Sequence, residues 1–107
     1  MRVLFVLGSA AFGLLMSENP APGQNWISTS APATNWTSVA SSADGRNLIA
    51  AGYNGQVYTS TNSGAVWNVT SAPVAEWTSV ASSADGSNLA AAAYVTSIYI
   101  STDSGVT

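Results

Sequence analysis

Few side chains in this sequence can do chemistry. Glu18, Asp44, Glu76, Asp85 and Asp103 stand against Arg2 and Arg46, a formal charge of −3, and the 107 residues include no histidine and no cysteine. Imidazole bases, thiolates, disulfides and the common zinc ligand sets are therefore absent. Serine is abundant, but a hydroxyl with no histidine or lysine beside it has no base to activate it. Paired carboxylates could hydrolyse a glycoside if they converged. Asp44 and Asp85, however, stand in two copies of one Ala-Asp-Gly stretch, where turn geometry alone accounts for Asp; ligand or calcium binding is the alternative. Among the aromatics, Trp36, Trp77, Tyr53 and Tyr94 are candidate stacking faces for a sugar, although aromatics locked to a repeat serve equally as apolar plugs of a core. No catalytic residue, cofactor site or metal site is expected. With two arginines as the only cations, nothing can neutralise a row of phosphates, so nucleic acid is not an expected partner.

Stepping outward from these side chains, the composition is that of a folded chain with a nearly neutral surface. Hydrophobic residues make up 47% and charged residues 7%, the latter against about 25% in an ordinary domain. The chain opens with Arg2 and an apolar run from Val3 to Met16, shorter than the roughly 18 residues a membrane-spanning helix needs. A basic start, an apolar centre and the small, Pro-containing sequel Glu18 to Gln24 predict a signal peptide and leader over residues 1–23, and hence a secreted, periplasmic or cell-surface protein with no stable membrane span. Ala21-Pro22-Gly23 and Ser9-Ala10-Ala11 are rival cleavage sites, and a buried first strand or a misassigned start is the competing reading of the whole segment. Asn35-Trp36-Thr37 and Asn68-Val69-Thr70 fit the N-glycosylation pattern, which matters only in a eukaryote.

What positions the candidate residues is a repeat. WTSVASSADG, Trp36 to Gly45, recurs letter for letter at Trp77 to Gly86. Trp26 pairs with Trp67, Tyr53 with Tyr94, Tyr58 with Tyr99 and Gly64 with Gly105, all at one offset of 41 residues. Two units result, 26–66 and 67–107, with roughly 60% of paired positions identical. Within the first unit, Trp36–Ser42 is β-branched and aromatic at its start and ends in Ala-Asp-Gly, which predicts a strand and a hairpin loop. Asn47–Tyr53 is the second strand, Asn54-Gly55 a hairpin turn of residues that tolerate positive φ, and Gln56–Ser60 the third strand. A turn over Thr61–Gly64 leads to a fourth strand, Ala65–Thr70, ended by Pro73. The Ala-rich stretch Asn88–Tyr94 has helix propensity but is too short to hold as an isolated helix. In the second unit Val95-Thr96 replaces Asn54-Gly55, so the dipeptide that predicts this hairpin is missing there. Four short antiparallel strands per period of about 40 residues is the pattern of a β-propeller blade.

The turn before the fourth strand reads Ser60-Thr-Asn62-Ser-Gly64-Ala-Val-Trp67 and, in the second unit, Ser101-Thr-Asp103-Ser-Gly105. It resembles the Asp-box, or BNR repeat, Ser-x-Asp-x-Gly-x-x-Trp, of sialidase-like and other β-propellers, with Asn62 in place of the aspartate in the first unit. The resemblance implies a structural role for Ser60, Asn62, Gly64, Trp67, Ser101, Asp103 and Gly105: an acceptor side chain for turn N–H groups, a glycine for a left-handed backbone, and a tryptophan to plug the edge of the sheet. It also implies that sialidase activity would require an arginine cluster, and Arg46 is the only arginine outside the leader.

The expectation is therefore an all-β chain of two four-stranded antiparallel propeller blades, an incomplete propeller preceded by a short apolar segment. Two such sheets alone would leave two apolar flanks bare, so further blades are expected, in the first place from a longer polypeptide, because the last unit lacks a fourth strand of its own, and alternatively from copies of the chain. The function expected is that of a non-catalytic, exported scaffold for a protein or glycan ligand. A two-blade lectin assembled as an oligomer is the alternative, and a fragment of a sialidase-like glycosidase a second one.

Overall fold

In a computed structural model of the protein, residues 25–107 are described. The expected signal peptide lies outside them. Seven strands and no helix are found among the described residues: β1 Trp36–Ser41, β2 Leu48–Gly52, β3 Val57–Ser60, β4 Asn68–Val69, β5 Trp77–Ser82, β6 Leu89–Ala93 and β7 Ile98–Ser101. They form two antiparallel sheets in sequence order, β1-β2-β3-β4 and β5-β6-β7.

Each sheet takes its first three strands from one sequence unit, but the fourth strand of the first sheet, Asn68–Val69, lies past the 66/67 boundary in the second unit. The Ala-rich Leu89–Ala93 is a strand, not a helix. Two expectations need correction. The second sheet has three strands rather than four, because the positions equivalent to Asn68–Val69 fall after Thr107. The fourth strand of the first sheet is two residues long instead of the predicted Ala65–Thr70. There the N–H of Ala65 is taken by the Asn62 carbonyl (3.2 Å) and that of Val66 by the Asn62 side chain (2.9 Å), which holds both residues in the preceding turn.

The turn after β2 also departs from the expected Asn-Gly geometry. Asn54 alone has positive φ (53°), while the Gly55 N–H closes the turn on the Gly52 carbonyl at 3.2 Å. Gly55 instead exchanges two backbone hydrogen bonds with Ala75, of 3.1 and 3.2 Å, tying the turn to the segment that leads into the second sheet. The second unit keeps the same turn with Val95 at φ 53°, a conformation strained for a β-branched residue.

A bulge at Thr37 shifts the β1–β2 register between Trp36 and Ser38, and Thr78 repeats it in β5. The extra residue puts Trp36 and Val39 on one face of their sheet, opposite Gly52 and Ala50. Trp77 and Val80 likewise share a face opposite Ala93 and Ala91. The sheets then stack unlike face on unlike face. Ile49, Ala51 and Val57 of the first meet Trp77, Val80, Leu89 and Ala91 of the second, and these seven residues are the buried core. Alanines on β2 and β6 leave room for that approach. Across the gap the Thr37 hydroxyl donates to the Trp77 carbonyl (2.8 Å), the Val80 N–H to the Ser38 hydroxyl (3.1 Å) and the Ala43 N–H to the Ala84 carbonyl (2.7 Å).

Candidate functional site

Strand direction sorts the candidate residues between the two ends of the stacked sheets. The Ala-Asp-Gly turns and the Ser-x-Asn/Asp-x-Gly turns share one end, where the Ser63 N–H donates to the Arg46 carbonyl and the Ser104 N–H to the Ser87 carbonyl, both at 2.9 Å. The tyrosine turns, Tyr53-Asn54 and Tyr94-Val95, occupy the other.

At the first end, the carboxylates are committed to their own turns. Asp44 Oδ1 accepts from the Ser42 hydroxyl (2.7 Å) and the Arg46 N–H (3.0 Å). Asp85 Oδ1 accepts from the Ser83 hydroxyl and from both the N–H and hydroxyl of Ser87, at 2.7 to 2.9 Å. Asp103 accepts from the Ser101 hydroxyl (2.7 Å) and from the Thr107 N–H and hydroxyl (3.0 and 2.6 Å). Donors aimed at a carboxylate favour its charged form. The Ser87 N–H above all brings Asp85 down to about 2, and the Thr107 hydroxyl above all does the same for Asp103. Asp44 is lowered chiefly by the Arg46 N–H. A carboxyl held this acidic is a poor proton donor or acceptor near neutrality.

Asn62 reproduces the Asp103 arrangement through its amide oxygen, accepting from the Ser60 hydroxyl and the Val66 N–H at 2.9 Å each. Ser60 and Ser101 in turn accept from Gly64 and Gly105, each at 2.9 Å. Those glycines have φ of 89° and 85° and follow Ser63 and Ser104 at 62°, so two successive left-handed residues set the turn and a side chain at the second would be strained. Leu48 packs against Gly64 as Leu89 does against Gly105. Ser42, a surface-type residue by composition, is buried, and it and Ser83 hold the aspartates of the Ala-Asp-Gly turns. Each stands two residues before its aspartate just as Ser60 and Ser101 stand before Asn62 and Asp103, and that spacing is the signal in the sequence.

At the aromatic end, the four candidates part company. Trp77 is 0% exposed, its indole N–H donating to the Gly55 carbonyl at 3.1 Å and its ring edge-on to Tyr99 at 5.4 Å. It fills the space between the sheets and offers no face to a ligand. Trp36 makes the same edge-on pair with Tyr58 at 5.7 Å but is 38% exposed, because among the described residues no third sheet lies over it. It opens onto a groove of about 480 Å³ lined by Ala31, Val39, Ala50 and Trp67. The Trp67 Nε1–H is buried and without an acceptor among the described residues. Tyr53 and Tyr94 are exposed, one on each sheet, their N–H groups fixed to the carbonyls of Asn35 (2.9 Å) and Glu76 (2.8 Å).

Among the described residues, no three of the types His, Cys, Asp and Glu gather as metal ligands would, and no helix is long and apolar enough to cross a membrane. Comparison with protein-family models, with curated proteins and with solved structures finds no match.

Proposed function

We propose that the chain is a non-catalytic, exported module of a β-propeller, each unit one blade of the Asp-box type, acting as a scaffold for a protein or glycan ligand and completed by further blades. The observation that carries this reading is the stacking of two like sheets, unlike face on unlike face, with the carboxylates of both units turned inward on their own backbone. Such a stack repeats every loop at the same end, so a ligand would meet a row of equivalent side chains. Glycan is the better-supported ligand class, because Tyr53 and Tyr94 are repeat-related, exposed and at one end, and a flat ring stacks on a sugar's apolar face.

The test is binding of the purified full chain to a glycan panel, with Tyr53→Ala and Tyr94→Ala as variants. Binding that falls at least tenfold in either variant is expected. Release of sugar from any glycoside on the panel would overturn the non-catalytic reading, and glycan binding indifferent to both tyrosines would remove this end of the stack as the site.

A further inference from the structure

The face of the first sheet that carries Trp36, Val39 and Ala50 is the sequence twin of the face carrying Trp77, Val80 and Ala91, which the first sheet covers. Val80 is 9% exposed and Val39 67%. At the far side of the stack, Ala90, Ile98 and Ile100 occupy the places of Ile49, Val57 and Thr59, the face that does the covering. Ile98 and Ile100 are 71% and 72% exposed. Their face has not been made polar in compensation. Where Ile49 pairs with Thr59, Ala90 pairs with Ile100, so the cross-strand pair keeps one large and one small member with the sizes exchanged. The two bare faces of the chain are thus the two halves of the contact it already makes internally.

A third element points the same way. Trp26–Thr29 is the twin of Trp67–Thr70, whose Val69 and Asn68 pair with Tyr58 and Thr59 and whose Thr70 N–H and hydroxyl both reach the Val57 carbonyl at 2.9 Å. Trp26 and Ile27 are exposed, while the far edge of β7 has no strand beside it among the described residues. Between the sheets at that edge, against Ile49 and Val57 of the first sheet, lies an apolar cavity of about 270 Å³ that reaches Leu89, Tyr99 and Gly105; Gly105 is the twin of Gly64, beside which the Trp67 indole lies. The segment cannot reach that edge of its own chain. Thr29 is packed at Gly64, on the bare side of the first sheet, as Thr70 is packed at Gly105, and the second sheet lies on the opposite side.

We propose that a second copy of the chain docks head to tail. The Ile98 and Ile100 face of one copy covers the Trp36 and Val39 groove of the next, and the Trp26–Thr29 segment of that next copy pairs with β7 as its fourth strand. Ile27 then lies opposite Ile100, Ser28 opposite Tyr99, and Trp26 enters the cavity at Gly105. The docking rests on the blade reading above for its geometry, and it names the completing partner as the chain itself.

The absence of cysteine makes the register directly testable. Under mild oxidation, full-length Ile27→Cys mixed with Ile100→Cys is expected to give a covalent dimer, and Ile27→Cys mixed with Val74→Cys, exposed on the segment between the sheets, is not. Sedimentation of the unaltered chain is expected to give a mass of two or more chains, falling to one in Trp26→Ala and in Ile98→Lys. Both substitutions lie at exposed positions, so unchanged circular dichroism will show that the fold is kept. A single-chain mass at high micromolar concentration, equal cross-linking of both cysteine pairs, or an assembly indifferent to both substitutions overturns the proposal. A single chain that still binds glycan through Tyr53 would end the docking and leave the binding module intact; an assembled protein that binds nothing would do the reverse.

Discussion

Asp103 and Asn62 are the same residue of the repeat with and without a titratable group, and the difference sets how each turn meets acid. The folded carboxyls of Asp85 and Asp103 sit at about 2, below the roughly 3.9 of an unfolded Asp. Their contribution to stability is complete above the unfolded value and is lost as pH falls from about 4 through about 2. The denaturant midpoint is therefore expected to drop over that window, and Asp103→Asn to flatten part of the drop, since an amide oxygen at Asn62 already does the same work without a proton. Urea unfolding at several pH values, followed by tryptophan fluorescence, checks this; a variant with unaltered acid dependence would show that the Thr107 and Ser101 bonds do not distinguish folded from unfolded chain.

At the level of strands and turns, most of the architecture was legible because Gly, Asp, Asn and Pro punctuate the chain at regular intervals and because the units repeat. The fourth strand is shorter than its residue types suggest, since nothing in Ala65-Val66 announces that their N–H groups belong to the turn. The bulges at Thr37 and Thr78 were equally silent, because an extra residue in a strand of Thr, Ser and Val leaves no compositional trace. The turn at Val95 is the instructive case. Val95-Thr96 carries no Asn-Gly turn signal, and the hairpin forms anyway at φ 53°, held by its neighbours: the Tyr94 N–H on the Glu76 carbonyl at 2.8 Å and the Ala93 N–H on the Ser97 carbonyl at 3.1 Å. The left-handed conformation costs a residue with a Cβ about 1–2 kcal/mol, and Asn tolerates it better. Val95 is exposed and has little packing to lose, so Val95→Asn is expected to stabilise by about 1 kcal/mol and raise Tm by roughly 4–8 °C. Calorimetry reads the shift, and a lowered Tm would refute it.

For the whole molecule, identical residues have unequal fates, and this no sequence could disclose. Trp36 and Trp77 open two copies of the same ten-residue string, yet among the described residues only Trp77 has a sheet in front of it. Trp77→Ala is expected to cost about 3–5 kcal/mol, as for other buried tryptophans. Trp36→Ala in the dissociated chain should cost about 1–2 kcal/mol, because part of its indole is already in water. Chemical unfolding at low protein concentration separates the two, and equal losses would mean that Trp36 is covered in the single chain. Which tyrosines and tryptophans could serve a ligand was hidden for the same reason, since availability depends on neighbours that the repeat does not encode.

The stacking of unlike faces has one more consequence. A surface that recognises itself is finished by a single mate, whereas a plug that fits a different socket on the same body always leaves one plug and one socket behind. Whether a row of such bodies bites its own tail or runs on without end is then decided by the angle set between neighbours around Ile49 and Val80. A modest change of side-chain bulk there could turn a bounded particle into a fibre while leaving every hydrogen bond within each sheet in place.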